Sequence, residues 1–156
     1  MWQRIQTVYL VFVIISLLAM LFMPVWAKEA GNDILVIYPF SAGVVGETTT
    51  ATSYFPYIFA GVLVVLAIIV AFYEIFRYKK RISQLKLGAL NSLIITVALV
   101  LEVYLIVTAQ NEWNPEVRGS YRTGLFMPAA AIIFNMLANR NIRKDERLVR
   151  SVDRIR

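Results

Sequence analysis

Three stretches of this chain each run for about twenty residues with at most one charge, and nothing else in the sequence constrains the fold as strongly. A helix that crosses a bilayer needs about 20 mostly apolar residues, because the hydrocarbon core is about 30 Å thick and a helix rises about 1.5 Å per residue. Residues 7–26 contain no charge, residues 55–76 contain only Glu74, and residues 87–109 contain only Glu102. A fourth apolar stretch, 124–138, is shorter, and local thinning or helical extension into the tail would let it span. The expected fold is an all-α integral membrane protein, a bundle of four transmembrane helices forming a single membrane domain.

Composition supports a bilayer over a soluble core. Hydrophobic residues make up 59% of the chain and charged residues 17%, against about 45–50% and about 25% in ordinary globular proteins. A domain of this size leaves a large share of its surface in contact with solvent, so that much apolar surface calls for lipid. The first stretch exceeds the usual apolar core of a secretory signal, about 7–15 residues, and reads as a retained span. The chain has no cysteine and no histidine. Disulfides, thiolate metal sites and the commonest general base are thereby excluded.

The net charge of +6 does not point to nucleic acid, because the cations gather in short segments beside the apolar runs. Arg4, Arg77, Lys79, Lys80, Arg81, Lys86, Arg140, Arg143, Lys144, Arg147, Arg150, Arg154 and Arg156 fall on one side of the expected topology. Lys28, Arg118 and Arg122 fall on the other. Positive flanks mark the cytoplasmic face, so both ends are expected in the cytoplasm. Aromatic residues at Trp26, Tyr54, Tyr57 and Trp113 outside, and Tyr73, Phe76 and Tyr78 inside, suit interfacial belts.

Outside the spans, the outer loop 28–54 contains two β-branched runs, 34–38 and 48–52, around a Gly43–Gly46 turn. It reads as a small outer β-hairpin over the helix ends, either a lid or a docking edge for a partner's strand. The cytoplasmic loop is 77–86 and the tail 139–156. In the tail, Leu148, Val152 and Ile155 recur at helical spacing, and Glu146 and Arg150 are placed to pair. The tail is thus expected to be a basic cytoplasmic C-terminal helix, held to the anionic inner leaflet or docked to a protein. Arg143, Lys144, Asp145, Glu146, Arg150 and Arg154 are its candidate contacts.

Intramembrane polar groups are costly and mark candidate sites. Glu102 leads, with Thr96, Tyr104 and Thr108 as companions on its helix; Glu74 reads as a boundary salt bridge with Arg77 or Arg4. Asn91 and Asn135 would sit at similar depth and are expected to bond to each other. No catalytic motif and no cofactor signature is present, so the expected role is non-enzymatic. The leading role is an accessory or structural subunit of a membrane assembly with a membrane-protein partner. The alternative is a small transporter or lipid-binding protein using Glu102 in a cavity.

The opening Trp2-Gln3-Arg4-Ile5-Gln6-Thr7 and the closing Ile142-Arg143-Lys144-Asp145-Glu146-Arg147-Leu148-Val149-Arg150-Ser151-Val152-Asp153-Arg154-Ile155-Arg156 carry a resemblance. So does Tyr121…Gly124…Pro128 before the last apolar stretch. Together they resemble a family of small bacterial inner-membrane proteins known only as a domain of unknown function. The resemblance covers essentially the whole chain. It implies four spans, a basic central loop and a Gram-negative inner membrane, and it implies no activity.

Overall fold

The computed structural model describes residues 3–45, 50–77, 81–113 and 116–153. Four helices and one antiparallel sheet account for most of them: α1 (Gln3–Phe22), β1 (Trp26–Ala30), β2 (Asp33–Tyr38), β3 (Ser41–Val45), β4 (Thr50–Ser53), α2 (Ile58–Phe76), α3 (Arg81–Glu112), β5 (Ser120–Tyr121) and α4 (Met127–Asp153). A short 3-10 turn, Thr123–Phe126, leads into α4.

Two features correct the expected all-α fold. The outer segment is a five-stranded sheet in the order β4-β3-β2-β1-β5, where a small hairpin was expected. Among the described residues three helices, not four, are long and apolar enough to cross a membrane: Ile5–Phe22, Ile58–Phe76 and Arg81–Glu112. The fourth helix is apolar only through Ala138, and from Asn139 onward it is dominated by polar and charged residues.

The sheet was under-read because its turns hide between unlike residues. Trp26-Ala27-Lys28-Glu29-Ala30 lacks the β-branched signature of a strand, yet it pairs with β2 along its whole length, from Trp26 opposite Ile37 to Ala30 opposite Asp33. The two-residue link Gly31-Asn32 closes that hairpin, and Gly31 has a φ of 65°, a conformation that costs glycine little. A second two-residue link, Pro39-Phe40, joins β2 to β3, with Tyr38 opposite Ser41. Gly43 therefore lies within β3, paired to Val36 and Thr52, and not in a turn. Gly46, Thr48 and Thr49 lie outside the described residues. β5 joins β1 far along the chain, Trp26 opposite Tyr121, so the last outer segment is tied into the sheet made by the first.

The helices form a ring in which each packs on its sequence neighbours, and α4 closes it against α1. Phe12 stacks on Phe134 at 5.2 Å and Gln6 bonds Asp145, so α1 and α4 run antiparallel. Both ends of the described chain therefore lie at one end of the helix group. The sheet covers the other end. Val25 accepts from Arg122 N–H (3.0 Å) and Pro24 from Gly124 N–H (3.1 Å), fixing the start of β1 against the approach to α4. Leu35, Ile37 and Ala42 face inward from the sheet, while Ile34 and Tyr38 face out, the period-two pattern of a one-sided sheet.

Large apolar side chains line the outside of α1, α2 and α3 at intervals of three and four, among them Val8, Phe12, Ile15, Phe59, Val62, Ile69, Leu93 and Val100. Inside, small and polar residues are mixed with large apolar ones such as Leu10, Leu17, Ile95 and Ile106. An apolar outer surface fits a lipid surround, where outward groups face hydrocarbon and close helix approach uses small residues.

Candidate functional site

The inward face of α3 repeats every three or four residues: Gln84, Gly88, Asn91, Ile95, Ala98, Glu102, Leu105 and Ala109. Three of these are polar and almost wholly buried. The facing stripes add Gln6 and Ser16 from α1, Glu74 from α2, and Asn135 and Asp145 from α4. A polar column thus runs through the group, broken midway by an apolar layer that includes Val13, Leu17, Val64, Ile95 and Ala98.

At the end opposite the sheet part of the column is bonded across the helices. Gln6 Nε2 donates to Asp145 Oδ2 at 2.6 Å, and Arg81 Nη1 donates to the Asp145 main-chain oxygen at 3.3 Å. One residue therefore ties α4 to both α1 and α3. Further in, Asn135 Nδ2 donates to Gly88 O and to Ser92 Oγ, each at 2.8 Å. Gly88 permits this approach, because a Cβ there would collide with the Asn139 side chain. Asn135 does not bond Asn91 as expected. Asn91 is buried, and neither of its amide atoms has a partner among the described residues.

Glu74 and Glu102 are fully buried, and none of their four carboxyl oxygens has a hydrogen-bond partner among the described residues. The expected Glu74–Arg77 salt bridge is absent. Arg77 Nε donates instead to Tyr73 Oη at 2.7 Å, with its guanidinium 4.9 Å over the Tyr73 ring. The Arg4 side chain and Tyr78 lie outside the described residues. Nor do the companions proposed for Glu102 turn toward it. Thr96 and Thr108 spend their hydroxyls on the carbonyls of Ser92 and Tyr104 one turn back, and Tyr104 is exposed. Glu102 sits eleven residues from Asn91, about 16 Å along the helix.

A further buried ionisable residue was not among the candidate sites read from sequence. Lys28 on β1 points under the sheet, is fully buried, and donates to Gln110 O at 3.1 Å and to Trp113 O. Its ammonium lies 5.7 Å from the Trp113 ring centroid. It caps the last turn of α3, where orphan carbonyls and the negative end of the helix dipole favour a cation. Burial nonetheless pushes its pKa below the ordinary lysine value. Gln110 organises the following loop, accepting from Gly119 N–H at 3.0 Å and donating to Val117 O at 2.8 Å. Gln6, Gln84 and Gln110 escaped notice because glutamine beside an apolar run gives no spacing signal. Gln6 takes its role from a partner 139 residues away and Gln110 from the loop that follows it, while Gln84 Oε1 has no partner among the described residues.

The tail residues separate by face. Arg143 and Lys144 are exposed on α4, Asp145 is buried, and Glu146 is half-buried. Asp145 is thereby an internal clasp and unavailable as an outward contact. Leu148 is exposed. Arg154, Ile155 and the side chains of Arg150 and Val152 lie outside the described residues.

A family model matches residues 2–155, a span that includes the whole helix ring and the sheet. The chain belongs to the family described as a domain of unknown function, DUF4293. No curated protein matches the sequence. The buried polar column and the basic end of α4 thus both fall inside the DUF4293 domain.

Proposed function

We propose that this DUF4293 protein is a non-enzymatic accessory or structural subunit of a bacterial inner-membrane assembly. On this reading α4 runs back beside the three apolar helices, so that both ends face the cytoplasm and the sheet lies on the outer side. The single observation that carries the reading is the two-faced end of α4. Asp145 is locked inward to Gln6 and Arg81, while Arg143 and Lys144 stand exposed beside Arg140 and Arg147. A rigid helix with one face anchored presents its other face as a docking surface. The charge asymmetry along the sequence, thirteen cations against three, sets that face toward the anionic inner leaflet. Its partner is a membrane protein, and nucleic acid has no part in the reading.

The test is recovery of the tagged full-length protein in a gentle detergent, with and without charge reversal at Arg143 and Lys144 (Arg143→Glu, Lys144→Glu). A stoichiometric protein partner that is lost in the reversed variant supports the subunit reading. An identical set of co-purifying proteins in both samples rules it out.

A second reading, a small transporter or lipid-binding protein organised around Glu102, is favoured by the burial of that carboxyl without a partner among the described residues. Proteoliposomes with an internal pH-sensitive dye discriminate. Proton entry that exceeds empty vesicles and disappears in Glu102→Gln supports it, and entry unaffected by the substitution removes its proton-site form.

A further inference from the structure

One stripe of α4 changes character along its length. Ile133, Met136 and Leu137 recur at three and four residues and are followed at the same spacing by Arg140, Arg143, Lys144 and Arg147. All seven line a single open groove, of about 890 Å³, whose other wall is formed by Ala89 and Ser92 of α3. That volume lies at the upper end of the usual range for small-ligand sites, about 300–1,000 Å³. From Ile133 to Arg147 the stripe extends about 21 Å, close to one leaflet of a bilayer including its headgroups, about 20–22 Å. The groove is therefore apolar at membrane depth and cationic where a leaflet carries its phosphates. None of its lining residues is acidic. Asp145, on the same turn of α4, directs its carboxylate away from the groove to Gln6.

We propose that this groove seats one anionic phospholipid of the cytoplasmic leaflet. Its phosphate is held by Arg140, Arg143, Lys144 and Arg147, and an acyl chain lies along the apolar half of the stripe. Charge complementarity selects this occupant. A cluster of four cations repels a second basic helix and the quaternary ammonium of a zwitterionic headgroup, whereas the phosphate of a lipid without that cation accepts several guanidinium donors unopposed. Gly88 and the Asn135 bonds hold α3 and α4 at a fixed separation beside the groove, so the seat exists before the lipid enters. The inference rests on the reading of this α4 face as an interaction surface, and it names the lipid component of that surface.

The experiment is native mass spectrometry of the purified full-length protein in a neutral detergent, titrated separately with phosphatidylglycerol and phosphatidylcholine, with inorganic phosphate as competitor. One phosphatidylglycerol should be retained at concentrations where phosphatidylcholine is not, and millimolar phosphate should not displace it. Each neutralised cation should lower retention about fivefold, so Arg140→Gln with Arg143→Gln should lower it about 25-fold. Ala89→Trp keeps all four cations and fills the apolar wall from an exposed position on α3. It should bring phosphatidylglycerol down to the phosphatidylcholine level, which a purely electrostatic attraction would not do. Equal retention of the two lipids overturns the proposal. So does displacement by phosphate, full retention in Ala89→Trp, or a dimer that excludes lipid. Because the readout uses isolated protein, it stands apart from the partner pull-down. Lipid retention without a protein partner strikes only the subunit reading, and a partner without lipid retention strikes only this one.

Discussion

Asn91 and Asn135 are the same residue type on neighbouring helices, both fully buried, yet among the described residues Asn91 bonds nothing while Asn135 makes two bonds through Nδ2 and leaves only Oδ1 unpaired. The same substitution should therefore have opposite effects. Leucine keeps the Cγ-branched shape and removes the amide. Asn135→Leu loses two interhelical hydrogen bonds, each worth about 0.6–1.7 kcal/mol inside a membrane bundle, for a loss of about 1–3 kcal/mol, from which removal of its one unpaired atom, Oδ1, returns about 0.5–1.5 kcal/mol. Asn91→Leu removes two buried atoms that bond nothing, which recovers a desolvation cost of about 1–3 kcal/mol. Any strain from the slightly larger side chain falls on both variants and cancels in the comparison. The pair should differ by about 1.5–4.5 kcal/mol, with Asn135→Leu the less stable. For a chain of this size 1 kcal/mol moves the melting temperature by about 2–4 °C, so the separation is on the order of 5 °C or more. Thermal unfolding in one detergent, followed by near-ultraviolet circular dichroism, measures it directly. Equal melting temperatures, or a less stable Asn91→Leu, would refute the assignment of the bonds.

Two other positions give sharp expectations. A Cβ at Gly124 would press on the main-chain oxygens of Met23 and Pro24, which cannot rotate away, whereas one at Gly88 would meet only the Asn139 amide. Gly124→Ala should cost about 1–3 kcal/mol and Gly88→Ala clearly less, read as the order of their melting temperatures. At Lys28 the folded pKa lies below 10.5, so between the folded value and 10.5 the unfolded chain binds more protons. Stability should rise with pH through that window, and Lys28→Met should flatten the rise while loosening the last turn of α3, seen as faster amide exchange at 109–113. An unchanged slope in Lys28→Met would assign the effect to another group.

Length and hydropathy were enough to find the three long apolar helices, because a bilayer demands a continuous run and such a run is visible without knowing its neighbours. Charge position likewise showed that the basic segments gather at particular places along the chain. The inward side of α3 was partly legible too: Asn91 and Glu102 stood out because a polar residue inside an apolar run is conspicuous. Their partners were not legible. A salt bridge for Glu74 and an Asn91–Asn135 bond were chemically sensible pairings that the packing did not make, since rotation of each helix decides which atoms meet. The sheet shows the same limit. β1 carries Lys28 and Glu29 and has no strand signature, and it is held as a strand by β2 on one edge and by the distant β5 on the other. What the sequence determined by itself is whatever depends on a continuous local run: apolar length and charge placement. What only the tertiary structure decided is the pairing of residues far apart in the chain. It turned Lys28 into a helix cap, Asp145 into a clasp between three helices, and the Ile133–Arg147 stripe into one wall of a groove. Each of these follows from the face a helix or strand turns toward a neighbour, a property that no single segment carries.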